Sequence, residues 1–223
     1  KLYYGLDSPA DVSATEVDTS SFGARFVLTT PLGTRSVCLQ HAGRMNVANA
    51  LAAAAVGVGL ELALDDVVRG LEQAPPLPGR MERVDVGQRF DVVVDHAHTP
   101  AALAALLTTL RPLVGGRLIV LVSADGERDR SKRRPLGEVA AALSDLVIVT
   151  ESEPGREDPG RITAEIEVGL QVGGMRPGRG YEVVPDRRDA IRHAFSLAQP
   201  GDTIALHGPG HQRYRRVASG LEP

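Results

Sequence analysis

The sequence predicts an α/β fold with a mostly parallel sheet flanked by helices, and three observations support this class. Five short apolar runs alternate with helical segments in the second part of the chain. Each run is continuously apolar, which is typical of strands that are buried on both faces of a sheet. Hydrophobic residues make up 43% of the 223 residues and aromatic residues 4%, so we expect a core of Val, Leu, Ile and Ala.

The part of the chain before residue 75 predicts a separate group of strands and helices. The first 40 residues are typical of strands, and Pro31–Gly33 predicts a hairpin turn. From Gly43 onward the sequence becomes Ala-rich, with apolar residues at helical spacing. The predicted elements are strands over Ser21–Thr30 and Thr34–Gln40 and helices over Asn46–Gly59 and Leu64–Gln73. The Pro-Pro-Leu-Pro-Gly segment at 75–79 then marks a candidate domain boundary.

The part after this break predicts the parallel sheet. Strands are predicted over Phe90–Asp95, Arg117–Val122, Leu146–Thr150, Tyr181–Val184 and Thr203–His207, and helices over Thr99–Leu113, Pro135–Leu143, Arg161–Leu170 and Arg187–Ala198. In such sheets, ligands bind beyond the carboxyl ends of the strands. Polar residues follow four of these ends, at 95–98, 123–126, 150–153 and 207–211. We therefore expect a functional site at this edge of the sheet.

Composition and charge exclude several classes of function. The formal net charge of −3 and the pI of about 6.1 give no overall basic charge to favour nucleic acid or an acidic membrane surface. No apolar run approaches the roughly 20 residues of a membrane span. The single cysteine, Cys38, excludes a disulfide framework and a thiolate metal cluster. These features predict a cytoplasmic protein, and a start at Lys1 without a signal-like segment predicts a piece of a longer one.

The segment after the first strand of the parallel series leaves two interpretations open. Two histidines at i and i+2, His96 and His98, could share a metal site with side chains from other strand ends. Those ends offer His207, His211, Asp125 and Glu153. Alternatively, Thr99 caps the next helix with Pro100 in its first turn, which leaves Asp95 and His98 free for another task.

Two further segments are equally open. Gly126–Arg134 (GERDRSKRR) is either a solvated charge run or an arginine clamp for a carboxylate or phosphate. Gly208–Gly210 is either a simple turn or a place where a ligand approaches the backbone. No G-x-G-x-x-G follows the first strand of the series, which counts against a dinucleotide-binding domain. No G-x-x-x-x-G-K-[ST] occurs anywhere, so a complete phosphate loop is missing.

Seven segments taken together resemble the ordered motifs of the Mur ligase family. They are GRMNVANA at 43–50, PGRMERV at 78–84, VDHAHTP at 94–100, GERDR at 126–130, EDP at 157–159, PDRRDAI at 185–191 and PGDT at 200–203. The sequence is most similar to the members that add the third residue of the peptidoglycan stem peptide. The resemblance runs over essentially the whole chain, but it covers only the second half of such an enzyme.

The resemblance implies two domains. Residues 1–79 resemble the C-terminal part of the family's central ATP-binding domain, and residues 80–223 resemble its Rossmann-like C-terminal domain. In the family, ATP lies between these two domains.

The resemblance also implies nucleotide-binding roles for five residues. Asn46 and Asn49 match the amides that read the adenine edge, which fits an amide's paired donor and acceptor. Arg80 matches the arginine that reaches the phosphates. Asp95 matches the carboxylate that holds the ribose hydroxyls, and His98 lies nearby on the nucleotide side. His96 stands where the family usually has tyrosine.

The implied acceptor amino-acid site departs from the family pattern. Its residues are Arg128, Ser152, Glu153, Gly208 and Gln212. Arg128 matches the arginine that grips the carboxylate of the incoming amino acid. Diaminopimelate enzymes carry Asp-Asn-Pro-Arg where this chain has residues 152–155 (Ser-Glu-Pro-Gly), and Gly-Lys-Gly-His-Glu where it has 208–212 (Gly-Pro-Gly-His-Gln). The expected acceptor is therefore not diaminopimelate but an amino acid with a cationic side chain facing Glu153, such as lysine or ornithine.

The implied reaction is an ATP-dependent amide ligation. ATP activates a substrate carboxylate to an acyl phosphate, and the amine of the amino acid then attacks it. The family's phosphate loop, magnesium carboxylate and modified lysine all precede the part that this chain resembles. We therefore assign no catalytic residue and no metal ligand here, and we expect ATP and Mg²⁺ to act through the preceding part and the isolated chain to be inactive. The expected partners are a UDP-muramoyl peptide, an amino acid and ATP, with no nucleic acid and no membrane.

Three alternatives remain open from the sequence. A degenerate ligase half could act as a non-catalytic nucleotide-sensing or interaction module. An amide ligase could serve a specialised peptide pathway outside cell-wall synthesis. A metal-dependent hydrolase is the most distant alternative.

Overall fold

The computed structural model describes residues 1–20, 23–209 and 215–222, and the chain divides into two compact units, Lys1–Leu77 and Pro78–Pro223. The division lies inside the proline-rich segment 75–79, where proline cannot continue a helix or a sheet ladder. Separate clusters of buried aliphatic side chains form the cores of the two units.

The first unit is a four-stranded sheet with two helices packed against it. The elements are β1 Tyr4–Gly5, β2 Val12–Ser20, β3 Gly23–Thr30, β4 Gly33–Leu39, α1 Arg44–Gly59 and α2 Leu64–Gln73. Strand β1 is parallel to β2, whereas β2, β3 and β4 pair antiparallel in that order. The predicted hairpin turn is present, because Thr30 pairs with Gly33. Phe26 and Leu28 of β3 share a core with Leu51 of α1.

The second unit is a seven-stranded sheet with helices on both faces, which confirms the predicted fold class. Its strands are β5 Glu82–Arg83, β6 Asp91–Asp95, β7 Leu118–Val122, β8 Leu146–Val149, β9 Arg176–Pro177, β10 Gly180–Val183 and β11 Thr203–His207, and a separate pair follows, β12 Arg215–Val217 and β13 Gly220–Glu222. Its helices are α3 Pro100–Leu110, α4 Arg133–Leu143, α5 Pro159–Val172 and α6 Arg187–Leu197. The strand order is β5-β6-β11-β7-β8-β10-β9, and only β5 is antiparallel to its neighbour.

The two faces of this sheet are buried by different helices. Residues such as Val120 and Val122 pack against α3, α4 and α5, whereas Ile119 and Leu121 pack on the side of α6. Alternate residues of one strand therefore serve opposite faces, and the strands read as continuously apolar. Among the described residues, no helix has the length and apolar character needed to cross a membrane.

Several helix ends differ from the prediction: α1 begins at Arg44 rather than Asn46, α5 covers Pro159–Val172 rather than Arg161–Leu170, and α6 ends at Leu197 rather than Ala198. The helix expected over Thr99–Leu113 ends at Leu110 and continues as a 3₁₀ turn over Arg111–Leu113, because the proline in that turn lacks a backbone N–H. Helix α4 begins at Arg133, two residues earlier than expected.

Helices α4 and α5 pack with their backbones in direct contact. A Cβ atom built on Gly169 would lie 2.0 Å from the carbonyl oxygen of Arg134, and one built on Gly137 would lie 2.2 Å from that of Ile166. Carbon atoms in proteins pack at roughly 3.5–4.0 Å. The close approach of these two helices therefore requires glycine at both positions.

We expect Gly169→Ala to lower the free energy of unfolding by about 1–3 kcal/mol, because overpacking strain exceeds the roughly 0.5–1 kcal/mol by which alanine favours a helix over glycine. The matched control is Gly160→Ala in the same helix, where the new Cβ meets no atom nearer than 3.4 Å. Urea unfolding followed by circular dichroism measures both variants. A Gly169→Ala midpoint at or above that of the parent chain would contradict the packing.

Candidate functional site

The carboxyl ends of four parallel strands meet at one edge of the second unit. Asp95, the last residue of β6, pairs directly with His207, the last residue of β11. On the other side of β11, the pairing of β7 with β8 ends at Val122 and Val149. The loops that follow these strands contain most of the residues predicted to bind ligands, so the expected gathering of polar residues at this edge is present.

Asp95 holds two backbone segments together. Its side chain is buried, its Oδ2 accepts a hydrogen bond from the Met81 N–H at 2.8 Å, and its Oδ1 accepts one from the Ala97 N–H at 2.7 Å. One sequence interpretation expected Asp95 to be free for another task. The structure shows instead that both of its carboxylate oxygens accept backbone hydrogen bonds. Each carboxylate oxygen still has a second lone pair, so this side chain can also accept a hydrogen bond from a ligand hydroxyl.

The same contacts place Arg80 and His98 beside the end of β6. The His96 N–H donates to the Gly79 carbonyl at 2.7 Å, so the turn that carries Arg80 is hydrogen-bonded on both sides of that residue. The side chains of Arg80 and His98 are exposed. Three of the predicted nucleotide residues thus lie around one strand end.

Thr99 caps helix α3, as predicted. Its Oγ1 accepts a hydrogen bond from the Ala102 N–H at 3.2 Å, and Pro100 is the first helical residue. The cap begins the helix immediately after His98, whose Nδ1 lies 3.2 Å from the His96 carbonyl oxygen.

The loops after β7 and β8 are joined by direct contacts. The Ser152 hydroxyl donates to Asp125 Oδ1 at 2.8 Å, and the Gly126 N–H donates to the Glu153 carbonyl at 2.8 Å. A Cβ on Gly126 would lie 1.8 Å from the carbonyl oxygen of Pro154, so only glycine fits here. The structure thus brings the predicted acceptor residues Ser152 and Glu153 against the loop that carries Arg128, whose side chain is exposed.

Arg133 is a buried charge that the sequence interpretation missed, because residues 126–134 were assigned to a charge run or a ligand clamp. Its side chain is 0% exposed, and its guanidinium contacts Glu157 at 3.1 Å and Glu165 at 2.9 Å. Helical spacing in the sequence could have revealed this burial, because Arg133 lies on the buried face of α4 with Leu136 and Ala140.

Glu157 completes this network between the two loops. Its carboxylate accepts hydrogen bonds from the Glu127 N–H at 2.6 Å, from Arg130 at 2.8 Å and from Arg133. The Glu127 N–H, aided by the two guanidinium groups, outweighs burial and holds the pKa of Glu157 below its usual range. The carboxylate after β8 therefore stays ionised and holds the loop after β7.

A small pocket opens between the loops after β6, β7 and β11, and we call it the His207 pocket. It is lined by His96, His98, Ser123, Ala124, Asp125, Lys132, His207, Gly208 and Pro209. The Gly208 N–H donates to the Asp95 carbonyl at 3.0 Å, which ties the loop after β11 to β6. Burial, with Arg187 and Lys132 adding to it, lowers the pKa of His207 to about 3.

The remaining predicted residues belong to the first unit or fall outside the described residues. Asn46 and Asn49 lie on α1 of the first unit, where the Asn46 side chain donates to the Ala42 carbonyl at 2.8 Å and the Asn49 side chain donates to Asn46 Oδ1 at 3.3 Å. Gln212 and His211 lie outside the described residues. Within the part of the chain that the structure describes, no three His, Cys, Asp or Glu side chains are placed to hold a metal ion together.

The parallel sheet, its two helical layers and the polar loops at its carboxyl edge define a Rossmann-like α/β domain, a class that binds ligands at that edge. The chain belongs to the Mur ligase family, because residues 79–210 match the family model described as "Mur ligase, glutamate ligase domain".

Curated relatives resemble nearly the whole chain. The UDP-N-acetylmuramyl-tripeptide synthetase of Roseiflexus sp. (strain RS-1) is 44% identical over 212 residues, which are 95% of this chain and 42% of that protein. The UDP-N-acetylmuramoyl-L-alanyl-D-glutamate--2,6-diaminopimelate ligase of Corynebacterium glutamicum is 43% identical over 217 residues, 96% of this chain and 42% of that protein. The chain thus spans less than half the length of these relatives.

Solved structures share the fold. A UDP-N-acetylmuramoyl-L-alanyl-D-glutamate--2,6-diaminopimelate ligase structure has a TM-score of 0.63 and 32% identity, covering 99% of this chain and 45% of that chain. The Mycobacterium tuberculosis folylpolyglutamate synthase complexed with ADP and AMPPCP has a TM-score of 0.72 and 28% identity, covering 91% of this chain and 46% of that chain.

We expect Arg133→Met to lower the free energy of unfolding by about 3 kcal/mol, the lower end of the cost of breaking a buried ion pair, because Glu165 is partly exposed. The neighbouring variant Arg134→Met is the control, since that side chain is 60% exposed and pairs with Glu138 on the helix surface. Urea unfolding gives the stabilities, and hydrogen exchange should show faster exchange in residues 126–132. Equal stabilities for the two variants would contradict the role of Arg133.

Proposed function

We propose that this chain forms part of an ATP-dependent amide ligase, which joins an amino acid to the carboxylate of a UDP-N-acetylmuramoyl-dipeptide-like substrate in peptidoglycan synthesis. The observation that carries the proposal is membership of the Mur ligase family over residues 79–210, where Arg80, Asp95 and His98 surround one strand end. A relative with 44% identity is named a UDP-N-acetylmuramyl-tripeptide synthetase. The ligation is an activity of the whole protein, and this chain supplies binding residues to it.

In this proposal the two units correspond to different domains of a Mur ligase. The first, residues 1–79, is the C-terminal part of a central ATP-binding domain, and residues 80–223 form the C-terminal domain. The first unit ends with two helices after a mixed, mainly antiparallel sheet, whereas the second has the mostly parallel sheet that the family model covers. We further infer that the ligase acts in the cytoplasm, where ATP and nucleotide-linked precursors are present.

The described residues have the chemistry that ATP needs, and bound ATP would supply the phosphoryl group that activates the carboxylate. Asn46 and Asn49 offer neighbouring amides for the adenine edge, and Asp95 retains lone pairs for ribose hydroxyls. Arg80 is exposed, and its guanidinium has the planar set of N–H donors that matches a phosphate group. Support comes from a solved relative, folylpolyglutamate synthase, which was obtained with ADP and AMPPCP. Mg²⁺ would be held by the preceding part of the protein.

The acceptor amino acid would bind at the loops after β7 and β8. Arg128 would hold its carboxylate, because a guanidinium matches a carboxylate in two-point fashion. Ser152 and Glu153 lie against the same loop through Asp125 and Gly126, while Gly208 and Gln212 complete the proposed set. A carboxylate at Glu153, with no arginine two positions later, favours an acceptor with a cationic side chain over diaminopimelate.

In the complete gene product, Asp95→Asn is expected to raise the KM for ATP about tenfold, because the ribose hydroxyls lose hydrogen bonds to a charged acceptor worth about 1.5–3 kcal/mol. The KM for the amino acid should stay the same, which separates a nucleotide contact from general damage to the fold. Asp91→Asn at the amino end of the same strand is the control, since that carboxylate pairs with Arg83. An unchanged KM for ATP would argue against the assigned role of Asp95.

The acceptor is identified by assaying the complete gene product with ATP, the UDP-linked dipeptide substrate and one amino acid at a time. We expect kcat/KM for lysine or ornithine to exceed that for meso-diaminopimelate at least about tenfold, since only the former place a lone cation beside Glu153. Glu153→Gln should reduce this preference, whereas Glu151→Gln should not. Preference for diaminopimelate would disprove this assignment and leave the ligase class intact.

A further inference from the structure

His207 is a buried polar side chain that the proposed ligase reaction does not use. It is 1% exposed, and within the part of the chain that the structure describes neither Nδ1 nor Nε2 has a hydrogen-bond partner. A buried polar atom without a partner costs about 1–3 kcal/mol, and such atoms are rare in native proteins. The ring lines a pocket, so a polar ligand in that pocket would satisfy it.

The charges that act most strongly on this ring are positive. The strongest come from Arg187 on α6 and from Lys132, which lies before α4. Together with burial they keep the imidazole neutral, as its low pKa shows. A ligand that relieves this positive potential gains more than a neutral one of the same size.

Arg187 adds a cation without an ion-pair partner among the described residues. Its Nη2 donates to the His207 carbonyl at 3.0 Å and its Nη1 lies 3.5 Å from Ser123 Oγ. Burial lowers its pKa to about 10 while Asp125 opposes that change, so the guanidinium remains charged at neutral pH. It therefore contributes a permanent positive charge behind the pocket.

Two carboxylates beside the pocket already accept other hydrogen bonds. Asp125 lines the pocket, but its Oδ1 accepts the Ser152 hydroxyl. Asp95 pairs with His207 in the sheet, and its two oxygens accept backbone N–H groups from Met81 and Ala97. The positive potential at the ring is therefore only partly balanced.

We propose that the His207 pocket binds a small oxyanion, a carboxylate or a phosphate group, with the imidazole N–H of His207 and the ammonium group of Lys132 as donors. A divalent cation is disfavoured here because Lys132 and Arg187 repel it. The pocket is lined in part by His98 and Gly208, which the proposed function assigns to the nucleotide and the amino acid. The two proposed donors, His207 and Lys132, have no role in the proposed ligase function, so the anion site can be tested independently of it.

The test uses the 223-residue chain with nitrogen-15 in its histidines, followed by nuclear magnetic resonance at pH 7 and constant ionic strength. Sodium phosphate or sodium acetate should move the His207 ring resonances along a saturating curve, and the anion that saturates at the lower concentration identifies the class of ligand. Lys132→Met and His207→Phe should each weaken this binding at least about tenfold, with the second read from the His96 and His98 resonances. His193→Gln is the control, because that ring pairs with Glu182 away from the pocket.

Two outcomes would overturn the proposal. Either the His207 resonances respond to both anions no more than to sodium chloride, or Lys132→Met leaves the binding unchanged. Lys132 is partly exposed and lies in the 3₁₀ turn before α4, so this variant keeps the test valid if His207→Phe fails to fold. Neither outcome affects the ligase proposal, which is tested by the KM for ATP.

Discussion

The common direction of the strands is the constraint on which the candidate site depends. Strands β6, β11, β7 and β8 run parallel, and each connection returns through a helix. Their last residues therefore share one edge, where Asp95 pairs with His207. The register is maintained by aliphatic side chains such as Val120 and Ile119, which alternate between the two helical layers. A slip by one residue would turn every side chain to the opposite face, so the same packing that stabilises the sheet also orients the polar residues at its end.

A single buried guanidinium organises the loops beyond that edge. Arg133 contacts Glu157 and Glu165, and Glu157 also accepts the Glu127 N–H and the Arg130 side chain. A buried charge without partners is costly, so the loops after β7 and β8 adopt the conformations that supply those partners. The exposed side chain of Arg128 on the loop after β7 is thereby held on an ordered backbone. Within residues 126–134, Arg128 is thus the arginine proposed to touch a ligand, whereas Arg130 and Arg133 hold the loops.

Several residues at the site serve the fold and the proposed function at once. Asp95 joins the backbone at Met81 to the backbone at Ala97, which lies shortly before α3. Its carboxylate also keeps lone pairs that can accept hydrogen bonds from a ligand. Lys132 and Arg187 leave the His207 pocket positive, while Glu153 adds a carboxylate to the neighbouring loop.

The sequence alone determined the fold class, helices α3 to α6 and strands β6, β7, β8, β10 and β11 of the second unit, because alternating apolar runs and helical spacing are local properties of the chain. It also located the polar residues that follow the strands, and the cap at Thr99. It did not predict the short strands β5, β9, β12 and β13. Only the tertiary structure decided which of these residues interact. Arg133 and Glu157 are 24 residues apart, and Met81 and Asp95 are 14 apart, so no local pattern predicts these pairs. The same holds for His207, because the sequence around it is like that of any other strand end. Only the packing of three loops around this residue leaves the ring buried among cations.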